Sequence, residues 1–401
     1  MPDVWTILGL TLSAGSAGCA VYWGVASLRI VRTLRELPAA SAGLGLDLPA
    51  GSVCVVIPAH NERAVLPELI ASLRAQDHPR VRFVLALDRC TDGSAAACHG
   101  AIAGDPRFSV VEISECEPGW AGKVHAVYRG VHDGGALNDD FLLFADADTL
   151  FHPSCVRATL ALLHARGLGM LSLLSTMRYQ HWFELVVQPA CGLELVRQYP
   201  LLRANDPLRR RAFANGQFML FTREAYSRFG GHHEVRHELL EDLRLARILE
   251  YYSIPQGILL ADTMLVCRMY ASGAQFLRGW KRIFTEAANR KPGRLLAGAA
   301  NICLTASVLP ALAGAAVLLG ALRHTGSVVE GAALMTGIVG VGAYATAMGL
   351  VARAARAPWV TAVAMPLGAF LAGGVIVRAA LDLVRGRRTQ WGGMSYDRTV
   401  R

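Results

Sequence analysis

Lysine is nearly missing from this chain, since Lys123, Lys281 and Lys291 are the three lysines among its 40 basic residues. Charged residues of every kind make up 18% of the 401 residues, against roughly 25% in average soluble proteins. Hydrophobic residues reach 53%, and the mean hydropathy is +0.34. This balance excludes a disordered protein and a purely soluble enzyme. It favours a soluble domain joined to membrane segments.

Paired cysteines are missing as well. The nine cysteines are an odd number and include no Cys-x-x-Cys pair, which argues against a disulfide framework or a zinc ribbon. Reduced thiols suit a cytoplasmic domain. The sequence also has no internal repeat and no Gly-x-Gly-x-x-Gly fingerprint.

The net charge of +9 comes from arginines beside apolar stretches, at Arg29, Arg32 and Arg35 and again between positions 385 and 388. A basic chain can bind nucleic acid, anionic lipid or a phosphorylated substrate. Clustering at the ends of apolar stretches favours the membrane, so nucleic acid is not expected as a partner.

Four uncharged stretches are long enough to cross a bilayer, which takes about 20 residues. They cover residues 4–28, 295–322, 331–352 and 357–377. Basic residues follow the first stretch instead of preceding it, which favours an uncleaved anchor over a signal peptide. The positive-inside rule then places the globular part in the cytoplasm, and we expect a multi-pass protein of the cell membrane.

Four membrane crossings do not give a topology that agrees with the positions of the arginines. One segment before the globular part and three after it would put the arginines at 385–388 outside, against the positive-inside rule. Pro310 could break the first C-terminal stretch into a hairpin or an interfacial piece. The expected organisation is an anchor with the start of a linker at 1–37, a globular domain at 38–260, a basic interfacial segment at 261–294 and about three membrane segments with a basic tail at 295–401.

The globular part alternates strand and helix patterns, which predicts an α/β fold with a mostly parallel, doubly wound sheet. Short apolar runs predict strands at 53–58, 83–87, 108–113 and 141–144. A helix is predicted at 64–74, with Asn61 as its N-cap.

Polar side chains follow three of these strands. They are His60 and Glu62 after the first strand, Asp88 at the end of the second, and Asp146 and Asp148 after the fourth. Because ligands of open α/β sheets bind outside the carboxyl ends of the strands, these residues should share one crevice.

Each of these residues has a chemical interpretation and a plainer one. Asp146 and Asp148 can reach a hard divalent cation, or they can form a solvated turn. Asp88 can bind a base or a ribose, or form an Asx-turn. Lys123 follows a glycine-flanked turn, which suits a diphosphate contact, although a surface lysine is the simpler interpretation.

A second group lies further along the chain. Asp242, beside Glu241 near a helix start, can act as a general base, or the pair can simply stabilise the helix N-terminus. Gly216 permits close backbone approach to a ligand. Arg278 can contact a leaving diphosphate or anchor the membrane surface. His232, His233 and His237 lack zinc-ligand spacing, and an acceptor pocket suits them better.

The order of these motifs resembles the family 2 glycosyltransferases. The motifs are Pro58-Ala-His-Asn-Glu62, Asp88-x-x-x-Asp92, Gly122-Lys123, Asp146-x-Asp148, Asn215-Gly-Gln217 and Glu241-Asp242. Within that family the chain looks most like membrane-anchored lipid glycosyltransferases of the hopanoid-associated, carotenoid-acid (diaponeurosporenoate) and ceramide types. The turn at 119–123, the segment at 217–232 and the residues at 391–396 carry this finer likeness.

The resemblance implies a GT-A, Rossmann-like domain that uses a nucleotide sugar and Mg²⁺ or Mn²⁺, with inversion at the anomeric carbon. Asp242 would be the base, with Glu241 beside it, and Asp146 and Asp148 would serve the metal. The donor would be bound by Pro58, His60, Glu62, Asp88, Lys123, Asp146, Gly216, Gln217, Arg278 and Trp280.

Two departures from the family pattern bear on function. The usual Gln-x-x-Arg-Trp appears as Gln275-Phe-Leu-Arg-Gly-Trp280, with one extra residue, which weakens the case for processive synthesis. Met394 stands where an arginine is expected. We therefore expect non-processive transfer from a nucleotide sugar, with a UDP-sugar favoured, to a membrane lipid. A processive polysaccharide synthase and an inactive membrane docking protein are the alternatives.

Overall fold

The computed structural model describes residues 3–206, 208, 211–323 and 327–397, and at 390 and 391 the backbone alone. Seven strands form the central sheet: β1 (Val53–Ala59), β2 (Val81–Asp88), β3 (Phe108–Ile113), β4 (Phe141–Ala145), β6 (Met170–Leu174), β8 (Phe218–Thr222) and β9 (Gln256–Leu260). Their order is β3-β2-β1-β4-β8-β6-β9. Neighbouring strands run parallel except β8, which is antiparallel to β4 and β6. The predicted α/β fold with a mostly parallel sheet is confirmed.

Helices cover both faces of this sheet, which explains why its strands are continuous apolar runs. Every residue of β1 is buried, as expected for a parallel strand with helices on both sides. One face packs against α2 (Leu66–Arg74), α3 (Ser94–Ile102) and α5 (Cys155–Ala165). The other packs against α4 (Gly122–Asp133), α9 (Arg223–Arg228) and α10 (Glu241–Tyr251).

The start of α2 differs from the prediction. The helix begins at Leu66, its N-cap position is Val65, and no side chain caps it. Asn61 adopts a left-handed φ of 57°, and its Oδ1 accepts a hydrogen bond of 2.8 Å from the Thr91 backbone N–H. The Asn61 cap prediction is wrong because this side chain ties two strand-end loops together, in a conformation that asparagine tolerates better than most residues.

Smaller elements complete the globular part. The strands β5 (Thr149–Phe151), β7 (Thr176–Met177) and β10 (Leu265–Cys267) form a second sheet in the order β5-β10-β7, and β11 (Thr389–Trp391) pairs with β12 (Met394–Tyr396) in a hairpin. The helices are α6 (Trp182–Val186), α7 (Gln188–Gln198), α8 (Leu201–Ala204) and α11 (Gly273–Ala287). β10 follows the expected domain boundary at 260.

In the part of the chain that the structure describes, four helical stretches are long and apolar enough to cross a membrane. They are α1 (Val4–Glu36), the stretch Pro292–Leu322, α14 (Val328–Ala354) and α15 (Val360–Val384). The second consists of α12 (Pro292–Cys303), a π-helical segment (Leu304–Val308) and α13 (Leu309–Leu322). Pro310 therefore does not break this stretch, because the preceding π-helical segment provides the local adjustment that a proline in a helix requires.

Candidate active site

A lysine joins two acidic side chains at the carboxyl end of β4. Lys123, the second residue of α4, places its Nζ 2.6 Å from Asp146 Oδ1 and 2.6 Å from Glu241 Oε1. Asp146 directly follows β4, and Glu241 begins α10. Residues from three distant parts of the sequence thus meet in one crevice.

The charges in this crevice do not balance. Burial acts against the charge of Lys123, but Asp146 and Glu241 outweigh burial and raise the pKa of Lys123. Burial also acts to raise the pKa of Glu241, yet the Lys123 charge holds it below its usual value. The pKa of Asp146 is raised by its burial, and the Lys123 charge only partly offsets this effect. One lysine is therefore shared by two carboxyl groups, and burial disfavours the ionised form of Asp146.

Asp242 is the next residue of the same helix, and backbone groups hold it in place. Its Oδ2 accepts a hydrogen bond of 2.9 Å from the Gly216 N–H, and its Oδ1 accepts one of 2.7 Å from the Leu243 N–H. A Cβ at position 216 would lie 3.3 Å from both Asp242 Oδ2 and Lys123 Nζ, so glycine permits this close approach. Burial, followed by the charge of Glu241, raises the pKa of Asp242 to about 6.

Asp148 is the residue whose environment best suits a cation. Among the described residues, its buried Oδ1 has no hydrogen-bond partner. Burial, then the charges of Asp146 and Glu62, raise the pKa of Asp148 to about 8, and burial raises that of Glu62 to about 7. Within the described ranges, no three His, Cys, Asp or Glu side chains form a complete metal site. Asp146 and Asp148 could hold a divalent cation only together with ligands from outside these side chains, such as substrate oxygens.

The far end of the crevice holds Asp88, which is 2% exposed. Arg89 donates two hydrogen bonds to its carboxylate, of 2.9 and 2.6 Å. His60 donates from Nδ1 to the Asp88 carbonyl at 2.6 Å, which fixes its ring at the end of β1. Pro58 lies within β1, opposite Ala86 of β2. The donor-binding residues expected after β1 and β2 are therefore neighbours.

Gln217 turns away from the open crevice. It is 7% exposed, its Nε2 donates to Cys267 Sγ at 3.0 Å, and its Oε1 accepts from Asn215 Nδ2 at 3.1 Å. Cys267 in turn interacts with Asp148. These contacts support the wall of the site next to Asp148.

The structure does not bring Arg278 and Trp280 into the cluster around Lys123. Arg278 lines a basic cavity of about 210 Å³ between α11 and the end of α15. Trp280 is 4% exposed and packs on Phe276 and Phe284 in an apolar cluster. Arg282, one helical turn beyond Arg278, acts electrostatically on Asp146, and sequence reasoning missed it. Its spacing of four residues from Arg278 was the available signal.

The C-terminal hairpin is a second feature that sequence reasoning did not assign to the site. Tyr396 Oη accepts a hydrogen bond of 3.0 Å from the Gly122 N–H at the start of α4. Arg89 also donates to the Gly392 carbonyl at 3.4 Å. The hairpin thus covers the Asp88 end of the crevice. No local pattern reveals a contact between positions 274 residues apart.

The three histidines near position 235 do not converge. His232 is buried beside Tyr226 Oη at 2.9 Å, and burial lowers the pKa of His232 to about 4. His233 packs edge-on against Trp120, and His237 bonds to the Gly119 carbonyl. Zinc binding by these residues has no support among the described residues.

Fold and crevice together define a glycosyltransferase of the GT-A class. The chain belongs to the family described as "Glycosyltransferase like family 2", whose model matches residues 49–255 of the 401. No curated protein sequence matches the chain.

Solved structures are similar at low identity. One is the mannosyltransferase PcManGT from Pyrobaculum calidifontis in complex with GDP-Man and Mn²⁺, with 18% identity over 94% of this chain and 98% of that one and a TM-score of 0.48. Another is S. aureus TarS 1–349, with 14% identity over 86% and 95% and a TM-score of 0.41. The same TarS fragment in complex with UDP-GlcNAc has 13% identity over the same shares and a TM-score of 0.41.

Proposed function

We propose that this glycosyltransferase moves one sugar from a nucleotide-sugar donor, with a UDP-sugar favoured, to a hydroxyl group of a membrane lipid. The transfer inverts the anomeric carbon, uses Mg²⁺ or Mn²⁺ and takes place at the cytoplasmic face of the cell membrane. The observation that carries the proposal is Asp242, a half-buried carboxylate fixed by two backbone N–H groups beside the Lys123 cluster.

The chemistry follows from this arrangement. Asp242 accepts the proton of the acceptor hydroxyl, whose oxygen forms a bond to the anomeric carbon while the bond from that carbon to the diphosphate breaks. The nucleoside diphosphate leaves with the bonding electron pair. A divalent cation held by Asp146 and Asp148 would neutralise charge on this leaving group. Lys123 keeps Asp146 and Glu241 in position and adds a positive charge at the same place.

A groove beside the long apolar helices supports a lipid acceptor. It has a volume of about 290 Å³ and lies between α6, α11 and α15. Trp182 and Phe370 on its walls are 67% and 65% exposed, so the groove opens on an apolar surface. Phe276, also in its wall, packs edge-on against Tyr270, with ring centroids 5.3 Å apart. Tyr270 in turn interacts electrostatically with Asp148. An apolar chain in this groove would bring its head group towards the crevice.

Lipid labelling tests the proposal. Membranes containing the protein receive radiolabelled UDP- and GDP-sugars with Mn²⁺ or EDTA, and the label in the organic extract is counted. We expect label in the lipid fraction from one donor, lost with EDTA. Label only in high-mass aqueous polymer would contradict the lipid acceptor and favour a processive synthase. Label that persists with EDTA would contradict the role of the cation.

A further inference from the structure

The last long helix, α15, is apolar enough to cross a membrane, but both of its ends are held on the catalytic side of the molecule. We infer that α15 lies along the membrane surface and does not cross the bilayer. The chain then crosses three times, through α1, residues 304–322 of the stretch Pro292–Leu322, and α14. The preceding helix α12 packs along α15, with Gly373 against Cys303, and lies on the catalytic side with it.

The direction of α14 follows from its contacts with α1. Cys19 of α1 donates from Sγ to the Gly340 carbonyl of α14 at 3.5 Å, and the rings of Trp23 and Tyr344 pack with centroids 5.3 Å apart. Residue numbers rise together along the two helices, so α1 and α14 run in the same direction. α1 ends beside the catalytic domain, where Leu37 packs in one cluster with residues of β9 and α8. α14 therefore also ends on the catalytic side.

A direct contact to the catalytic domain supports this direction. Arg356, two residues beyond α14, donates from Nε to Asp262 Oδ1 at 2.8 Å. Asp262 lies in the turn after β9 and also accepts a hydrogen bond of 2.5 Å from Ser41. Four residues from Arg356 to Val360 can span at most about 14 Å. The start of α15 therefore lies on the catalytic side.

The other end of α15 lies on that side too. Asp382 accepts a hydrogen bond of 2.5 Å from Lys281 of α11, and the following hairpin reaches the start of α4. Between the two ends, Gly368 packs against the Val186 carbonyl of α6 so closely that no side chain would fit. A crossing helix must separate its ends by the hydrocarbon core, about 30 Å thick. α15 has 25 residues and is about 37 Å long, so its ends are far apart. Because both ends are tied to catalytic-side elements, this length runs along the membrane and not across it.

The exposed face of α15 identifies its partner as bilayer hydrocarbon. Its exposed apolar side chains recur at intervals of three, four or seven residues, at Val363, Leu367, Phe370, Val377, Leu381 and Val384. The opposite face is buried against α6, α7, α11 and α12. The helix is apolar on both faces because one packs on protein and the other meets lipid.

This arrangement removes the conflict over membrane topology. The arginines at 385, 387 and 388 lie on the same side as Arg29, Arg32 and Arg35, as the positive-inside rule requires. Which positions lie on the same side of the membrane does not depend on whether that side is the cytoplasm.

Cysteine labelling tests the inference. Ser327→Cys, Ala355→Cys and Arg385→Cys place a thiol before α14, after α14 and after α15, and the label above the wild-type level is measured. A membrane-impermeant maleimide is added to intact and to permeabilised cells, and retained transferase activity shows that each variant is folded. We expect Ser327→Cys to react in intact cells, and the other two to react only after permeabilisation.

Each other outcome has a definite meaning. Labels on opposite sides for Ala355→Cys and Arg385→Cys would overturn the inference, because α15 would then cross. The same holds if Ser327→Cys and Ala355→Cys share a side. A position that stays unlabelled after permeabilisation also contradicts the structure, which exposes all three. A fully reversed pattern would keep the inference and contradict the cytoplasmic placement alone.

Discussion

At the scale of single residues, the ionisable side chains of the site differ in the partners that surround them. Lys123 is shared by two carboxylates, while Asp148 has an oxygen without a partner among the described residues. Asp242 lies beside this cluster, is influenced by the charges of Glu241 and Lys123, and is held in place by two backbone hydrogen bonds. Its pKa of about 6 leaves it ionised at neutral pH and basic enough to accept a proton.

The pKa of Asp242 sets the pH dependence of transfer. Burial raises this pKa to about 6, so Asp242 is mostly deprotonated at pH 7 and becomes protonated as the pH falls through 6. A protonated carboxyl cannot act as the base. We expect kcat/KM to fall about tenfold per pH unit below this value. A profile of the rate between pH 5 and 8 that stays level would contradict the role of Asp242.

Replacing Lys123 tests the role of the positive charge that Asp146 and Glu241 share. Lys123→Met leaves Asp146 and Glu241 facing each other without a positive charge, which should destabilise the fold by about 3 kcal/mol. We expect the KM for the donor to rise more than tenfold and the melting temperature to fall. Lys291→Met, at an exposed lysine, is the matched control and should change neither quantity. Unchanged donor KM in Lys123→Met would show that the cluster does not serve the donor.

The sequence predicts those residues that follow a strand directly. Asp146 and Asp88 are placed by the sheet itself, because parallel strands end at one edge. Trp280 is different, since its position depends on how α11 packs against α15, and the sequence of α11 does not contain that information. Arg282 was missed for the same reason. Sequence spacing gives the face of a helix but not the partner that this face meets.

At the scale of elements, the C-terminal hairpin is the part that completes the crevice. β11 and β12 follow α15 directly and contact both Arg89 and the start of α4. Because Arg89 also holds the carboxylate of Asp88, the hairpin and the expected nucleotide contact are linked by one guanidinium.

Removing one hydroxyl tests the hairpin. Tyr396→Phe deletes the acceptor of the Gly122 N–H, a change worth about 0.5–1.5 kcal/mol. We expect the KM for the donor to rise about two- to tenfold with little change in the melting temperature. Tyr251→Phe is the matched control, because Tyr251 is 84% exposed on α10. An equal donor KM for both variants would show that the hairpin does not contribute to donor binding.

Elements with strong local patterns were predicted well. β3 has the predicted bounds, β1 and β4 are each one residue longer than predicted, and β2 begins two residues earlier and ends one residue later. The prediction of where α2 starts was wrong because the side chain of Asn61 accepts a hydrogen bond from the Thr91 N–H, which outweighs its preference for capping a helix. The π-helical segment before Pro310 is a compromise between a proline and a long apolar helix, and hydropathy alone does not show it.

At the scale of the whole molecule, the catalytic domain rests against helices that are long and apolar enough to cross a membrane. A groove lies where α15 meets α6 and α11. Its walls come from three elements that are distant in sequence, so neither its shape nor its position was predictable from the sequence.

Filling the groove tests its role in acceptor binding. Gly374 lines the groove and has no atom within 4 Å of the position that a Cβ would take. Gly374→Leu should therefore fit without strain and block an apolar chain. We expect the KM for a lipid acceptor to rise about tenfold or more, since a displaced chain loses about 0.8 kcal/mol per buried CH₂. Donor binding should not change.

Gly349→Leu is the matched control for this variant. Gly349 also lies in a long apolar helix, α14, and a Cβ added there would have no atom within 4 Å. It does not belong to the lining of the groove. This control should leave both KM values unchanged. Equal acceptor kinetics in the two variants would contradict acceptor binding in the groove.

Transfer by Asp242→Asn tests the central claim most directly. The variant and the wild type are compared for lipid transfer and for the dissociation constant of the donor, with Asp133→Asn as a control at a surface carboxylate. If Asp242 is the base, transfer falls about 10²- to 10⁴-fold while the donor dissociation constant changes little. Unchanged turnover in Asp242→Asn would contradict the assignment of Asp242 as the catalytic base.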